Sequence, residues 1–197
     1  MSKQKWEGGT LLAPVPPVMV SCGDGEKSNI LTIAWTGIVN STPPKTYISV
    51  RPQRYSYEII RRTREFMINL TSHQLLRAAD YCGIFTGAKV DKFSKCGLTK
   101  EFAESFACPM IAESPLSLAC RVTDIIPMGS HDMFLADIEA VFVREDLIDE
   151  AGKMRLGKAG LVAYSHGEYF ALGKRLGKFG FSAKKKRSGK NTGSGGK

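Results

Sequence analysis

The chain has 197 residues, 43% hydrophobic and 24% charged, an ordinary globular composition that excludes fibrous repeats and disorder throughout. Its formal charge is +9, yet six of its 28 Lys and Arg, and none of its 19 Asp and Glu, lie in residues 184–197. The remainder holds 22 bases against 19 acids, so the basic excess says little about what the folded part does.

That Gly/Ser/Lys tail cannot bury apolar surface. It is expected to be a disordered, solvated segment rather than a nucleic-acid or lipid contact, following one domain over residues 1–183. The early apolar run from Leu11 to Val20 is broken by Pro14, Pro16 and Pro17, leaving no stretch of about 18 apolar residues to cross a membrane. Met1–Glu7 leads into no apolar signal core, so a cytoplasmic location is expected. Cys22, Cys82, Cys96, Cys108 and Cys120 are odd in number and form no C-x-x-C pair. They read as small reduced core residues, and the scattered His73, His131 and His166 give no metal-ligand spacing.

In chain order, Pro17–Cys22 reads as a short β-branched strand, and Gly23-Asp24-Gly25 supplies the freedom for a hairpin reversal. The return strand, expected over Ile30–Thr36, alternates Leu31, Ile33 and Trp35 with Thr32, Ala34 and Thr36, so one face can bury while the other binds. Thr42-Pro43-Pro44 interrupts the ladder, because proline lacks an amide donor, and Thr46–Val50 begins a third strand. Ser56–Arg64 reads as a short helix and Glu65–Leu70 as a strand. Ser72 is placed to cap a second helix whose Leu75, Ala79, Cys82 and Phe85 lie on one stripe. Gly97–Pro115 is expected to be irregular. Leu116–Val122 and Asp132–Val143 should pair antiparallel around Pro127-Met128-Gly129-Ser130, and a last strand-like stretch covers Leu161–Leu172. Many strands, two convincing helices and little βαβ order describe an all-β to α+β fold, an antiparallel barrel or sandwich with short helical insertions.

Two motifs are decoys. Gly23-Asp24-Gly25-Glu26-Lys27-Ser28 echoes phosphate-binding glycine loops, but a strand follows where those loops need a helix. Ala163-Tyr164-Ser165-His166-Gly167 echoes a nucleophile elbow, but Ala stands where the strained turn uses Gly, and no helix is expected after it.

Asn29–Pro44 and the following Tyr47–Ser56 resemble the flavin reductase-like family with its FMN-binding, Greek-key split barrel, in particular the flavoredoxin branch. Phe66–Leu70, Val90–Phe93, Gly129–Phe134 and Tyr169–Gly173 resemble later blocks of that family in the same order, over roughly residues 10–181. The resemblance implies a homodimer holding FMN non-covalently near the subunit interface. Its cofactor contacts would be Thr32, Ala34, Trp35, Thr36, Asn40, Arg51, Ser56, Lys92, His131 and Tyr164. The residue types suit the task. Small residues on β backbone let a flat ring approach, Arg51 and Lys92 supply charge for a phosphate, and Ser56 opens a helix whose free amides attract anions. Trp35 reads equally well as a core filler on the Leu31–Ile33 face or, if the strand bends, as a ring contact. The implied function is hydride transfer from NAD(P)H to FMN and onward electron transfer. The alternative is a flavoredoxin-like electron carrier that exchanges electrons only with a redox partner protein. No catalytic side chain is expected, because the flavin performs the redox step.

Overall fold

The computed structural model describes residues 1–183; the expected basic tail lies outside the described residues. Seven strands form one antiparallel sheet in the order β2-β1-β5-β8-β9-β4-β3. They are β1 (Val18–Gly23), β2 (Ser28–Ile33), β3 (Thr36–Ser41), β4 (Pro44–Val50), β5 (Glu65–Leu70), β8 (Leu116–Pro127) and β9 (Asp132–Val143). Two small hairpins accompany it, β6 (Lys100–Glu101) with β7 (Met110–Ile111), and β10 (Val162–Ser165) with β11 (Glu168–Ala171). Helices α1 (Tyr55–Thr63), α2 (Leu76–Ile84) and α3 (Lys92–Cys96) are the insertions. Among the described residues no helix is long and apolar enough to cross a membrane.

The sheet is rolled. Leu31 and Ile33 of β2 share one buried cluster with Ile48 and Val50 of β4, although these strands lie near opposite ends of the strand order. Phe66, Ile68, Val122 and Phe134 fill the space between. Side chains alternate along a strand, and β1, β2, β4, β5, β8 and β9 each turn apolar side chains into this interior, whereas β3 contributes no buried residue to it. β1 is buried along its whole length because α2 and α3 cover its other side, where Met19 packs with Ile30, Ala79, Cys82 and Phe93. That explains its unbroken apolar run. The β8–β9 ribbon follows the expected pairing, with bulges between Ala119 and Cys120 and between Val122 and Asp124; each bulge adds bend and twist to a long ribbon.

Several expectations change. The strand expected over Ile30–Thr36 stops at Ile33, and Thr36 starts β3 at the opposite end of the strand order. Ala34 and Trp35 carry the chain across the gap between the edges, anchored where Ser49 N donates to Trp35 O at 3.0 Å. Trp35 therefore leaves the Leu31–Ile33 face and is 42% exposed. Phe85 leaves the α2 stripe to stack on Tyr81, because α2 ends at Ile84. Ser72 precedes a 3₁₀ turn, His73–Leu75, and makes no side-chain cap bond. The stretch Leu161–Leu172 is a hairpin, not one strand. Its turn is His166 and Gly167, both at positive φ (50° and 91°), the backbone of a tight hairpin, which also accounts for the nucleophile-elbow decoy. The Gly23–Ser28 decoy is the β1–β2 turn, where Asp24 Oδ1 accepts from Lys27 N at 2.8 Å. Its carboxyl is held down at about 2, chiefly by the Arg62 guanidinium.

Candidate functional site

Where the chain crosses between β2 and β3 the barrel is split, and a cleft of about 270 Å³ opens there. Thr32, Ile33, Ala34 and Trp35 form one wall, Ser49, Val50, Arg51 and Arg54 another, with Gly83, His131, Tyr164 and Tyr169 at the margins. The local sequence makes this shape. Ala34 is small, and Gly83 lies so near Thr32 that an added Cβ would meet the Thr32 Cβ at 3.4 Å. Thr32 Oγ1 donates to Ala79 O at 2.5 Å, tying β2 to α2.

The polar margin is cationic. Arg51 follows β4 and Arg54 occupies the N-cap of α1, where no side chain caps the helix. Arg54 Nη1 donates to Gly83 O at 3.3 Å. No Asp or Glu lines the cleft among the described residues, so two guanidiniums, the second from the N-cap residue of α1, face it without a neutralising acid. Arg51 Nε donates to His131 Nε2 at 3.4 Å, and Ser130 Oγ lies 2.9 Å from His131 Nδ1. Nε2 acting as acceptor places the ring proton on Nδ1, from which it is donated to Ser130. Burial first, then Arg51 and Arg54, hold the imidazole below its usual pKa, so it stands neutral near pH 7. Its ring lies 4.5 Å from that of Trp35, tilted by 44°. Across the cleft Tyr164 and Tyr169 are 5.3 Å apart. Tyr169 Oη donates to Asp80 at 3.1 Å, and burial together with that carboxylate pushes its phenol up to about 12.

Six of the ten expected contact residues converge here: Thr32, Ala34, Trp35, Arg51, His131 and Tyr164. Four do not line the cleft. Thr36 Oγ1 is turned to Tyr47 O at 2.5 Å. Asn40 sits near the far end of β3 and donates to Pro43 O at 2.8 Å. Ser56 is 1% exposed and accepts from Asn29 Nδ2 at 2.8 Å, so it points into the body rather than at an anion. Lys92 is 2% exposed; its ammonium donates to Ile30 O at 2.7 Å and Cys82 O at 2.8 Å, one layer behind Gly83. Burial pushes its pKa down. Arg54 and Tyr169 were not singled out in the sequence. Arg54 had a signal, its position three residues after Arg51 at a helix start; Tyr169 stood only at the head of the block Tyr169–Gly173 that resembles the family, and the hairpin is what brings it beside Tyr164.

A model of the flavin reductase like domain matches residues 11–173. The chain belongs to the flavin reductase-like family. Its fold is the family's split barrel, an antiparallel barrel with short helical insertions. The flavoredoxin of Desulfovibrio vulgaris (Miyazaki F) is similar over 93% of this chain and 100% of its own, with a TM-score of 0.86 and 31% identity. An NADPH-flavin oxidoreductase of Streptomyces viridifaciens is 25% identical over 141 residues, 66% of this chain and 68% of that protein. An uncharacterized protein of Aeropyrum pernix is 28% identical over 137 residues, 69% of this chain. The match spans about half of that relative's length, 52%.

The cleft of this flavin reductase-like chain fits FMN on its own chemistry. Small residues leave room for a flat ring beside β backbone, and two arginines without a nearby acid suit a phosphate dianion.

Proposed function

We propose that the cleft binds FMN non-covalently and that the chain is an NAD(P)H-dependent FMN oxidoreductase. The observation that carries this is the pair Arg51 and Arg54, at an uncapped helix start, facing Thr32–Trp35 across an acid-free cleft. FMN, when bound, supplies the redox chemistry, taking up hydride from a reduced nicotinamide and passing electrons onward. The protein binds and orients. Arg51 and Arg54 hold the phosphate, and the backbone of Thr32–Trp35 gives hydrogen-bonding groups to the polar edge of the ring. Trp35, His131 and Tyr164 cover its apolar faces and exclude water. His131, with its proton on Nδ1 and given to Ser130, presents Nε2 as an acceptor that keeps Arg51 in place. Lys92 and Ser56 act from behind, fixing the β2 strand through Ile30 O and Asn29. No side chain serves as a covalent nucleophile.

A cleft of about 270 Å³ is below the ~300–1,000 Å³ usual for sites that enclose an organic ligand. The proposal therefore includes a homodimer, with the second copy completing the enclosure.

Likeness to a flavoredoxin at 31% identity supports a second reading, an electron carrier that accepts electrons only from a redox partner protein. One experiment separates them. Protein saturated with FMN is mixed anaerobically with NADH or NADPH. Bleaching of the flavin band at a catalytically useful rate supports the oxidoreductase. Bound flavin that stays yellow with both nucleotides, yet bleaches with a reduced electron-transfer protein, establishes the carrier instead.

A further inference from the structure

Beyond β11 the chain leaves the barrel but keeps structure of its own. Phe181 N donates to Lys178 O at 3.0 Å and Ala183 N to Gly180 O at 3.2 Å. Gly180 takes a φ of +76°. The Phe181 ring lies against Gly177, where an added Cβ would meet its Cδ1 at 2.8 Å. The two glycines thus let residues 177–183 close into a self-packed turn. This turn holds its neighbours outward: Leu176 is 97% exposed and Phe179 109%. Lys174, Arg175 and Lys178 stand beside them and make no ion pair among the described residues. A preformed basic knob that offers large apolar side chains to water is the mark of a contact surface.

The same chain carries a groove of matching character. It measures about 570 Å³, with Met110, Ile111 and Phe142 on its floor and Glu101, Glu145 and Asp146 on its rim. Asp146 is held by Arg144, while Glu101 and Glu145 have no ion-pair partner among the described residues. Apolar floor and acidic rim complement apolar tip and basic flank.

We propose that residues 173–183 of one copy seat in the Met110–Phe142 groove of a second copy. One chain supplies both halves, and the proposed arrangement is the reciprocal one, each arm in the other copy's groove, which closes as a two-fold dimer instead of growing head to tail. This goes beyond the proposed homodimer by naming the arm and its seat, and it does not depend on the flavin reading.

The test is photo-cross-linking of the full chain with p-benzoylphenylalanine in place of Phe179, using a mixture of isotopically labelled and unlabelled copies. The expected products join two copies through residues 110–112 or 142–146. Glu145→Lys is expected to lower their yield by about threefold, the scale of one exposed ion pair, and adding Lys178→Glu to restore it. Cross-links to other surfaces, cross-links within one copy, or none at all would overturn the inference. Sedimentation of the unmodified chain keeps the two claims apart. A dimer that gives any of those three outcomes removes the arm and leaves the proposed dimer standing, whereas a monomer removes both.

Discussion

The mouth of the cleft and the layer behind it make an instructive pair. Each holds a basic residue at the boundary of an element, Arg51 just after β4 and Lys92 at the start of α3. Arg51 opens to the cleft, with Nε on His131 and the rest of its guanidinium available to an anion. Lys92 is sealed in, and two of its protons go to carbonyls of β2 and α2. The charge is equal; the accessibility is not. One arginine can recognise a ligand, while the lysine holds together the wall on which a ligand would lie.

Variants at the two positions should therefore separate folding from binding. Lys92→Ala removes a buried side chain and strips two carbonyls of their donor, so a loss of about 3 kcal/mol in unfolding free energy is expected. Denaturant melts of the cofactor-free chain measure it. A loss below about 1 kcal/mol would mean that the buried ammonium is not holding the wall. Arg51→Ala should do the reverse. FMN binding, followed by calorimetry, should weaken by about 2 kcal/mol, the scale of a charge-assisted hydrogen bond, with little change in unfolding. An unchanged dissociation constant would remove Arg51 from the phosphate site.

The contrast also shows what the sequence could and could not say. The sequence placed β5 and β9 at their observed ends; in β5 the apolar Phe66, Ile68 and Leu70 alternate with Met67 and Asn69 even though the strand is buried on both faces. The convergence of Thr32, Ala34, Trp35, Arg51, His131 and Tyr164 was legible through family resemblance, since they come from β2, the crossover, the residue after β4, the turn before β9, and β10. Burial depth was not legible. Lys92 and Ser56 carry the same chemistry in the sequence whether they face a ligand or a neighbouring carbonyl, and only the packing of α1, α2 and α3 on the barrel decides. The break after Ile33 was hidden for a related reason. Leu31, Ile33 and Trp35 keep a perfect period of two, but the barrel stays open at that point, and no local residue pattern records where a sheet fails to close.

Smaller effects sharpen the picture at the wall itself. Thr32→Val keeps the shape of the side chain but loses the bond to Ala79 O, so a stability loss of about 1 kcal/mol is expected, visible as a small shift in thermal melting. A variant as stable as the parent would show that β2 is tied to α2 by packing alone.

The least perturbing test is a titration. Burial, then Arg51 and Arg54, depress the His131 pKa below its ordinary value of 6.5. A histidine depressed on folding binds fewer protons in the native state. It contributes stability that is fully present above about pH 6.5 and is lost as the pH falls below that value. Nuclear magnetic resonance of the imidazole should place its midpoint below 6.5, and Arg51→Ala should move it upward. A midpoint at or above 6.5 in the parent chain would contradict the close approach of the guanidinium.

The most direct test of the cleft is to titrate the purified full chain with FMN while following quenching of flavin fluorescence. Saturation at one FMN per chain, abolished or strongly weakened when Arg51 and Arg54 are both changed to Ala in a chain that remains folded, is the expected result. A folded chain that leaves flavin emission unaltered, or that binds equally well without the two arginines, would contradict the assignment.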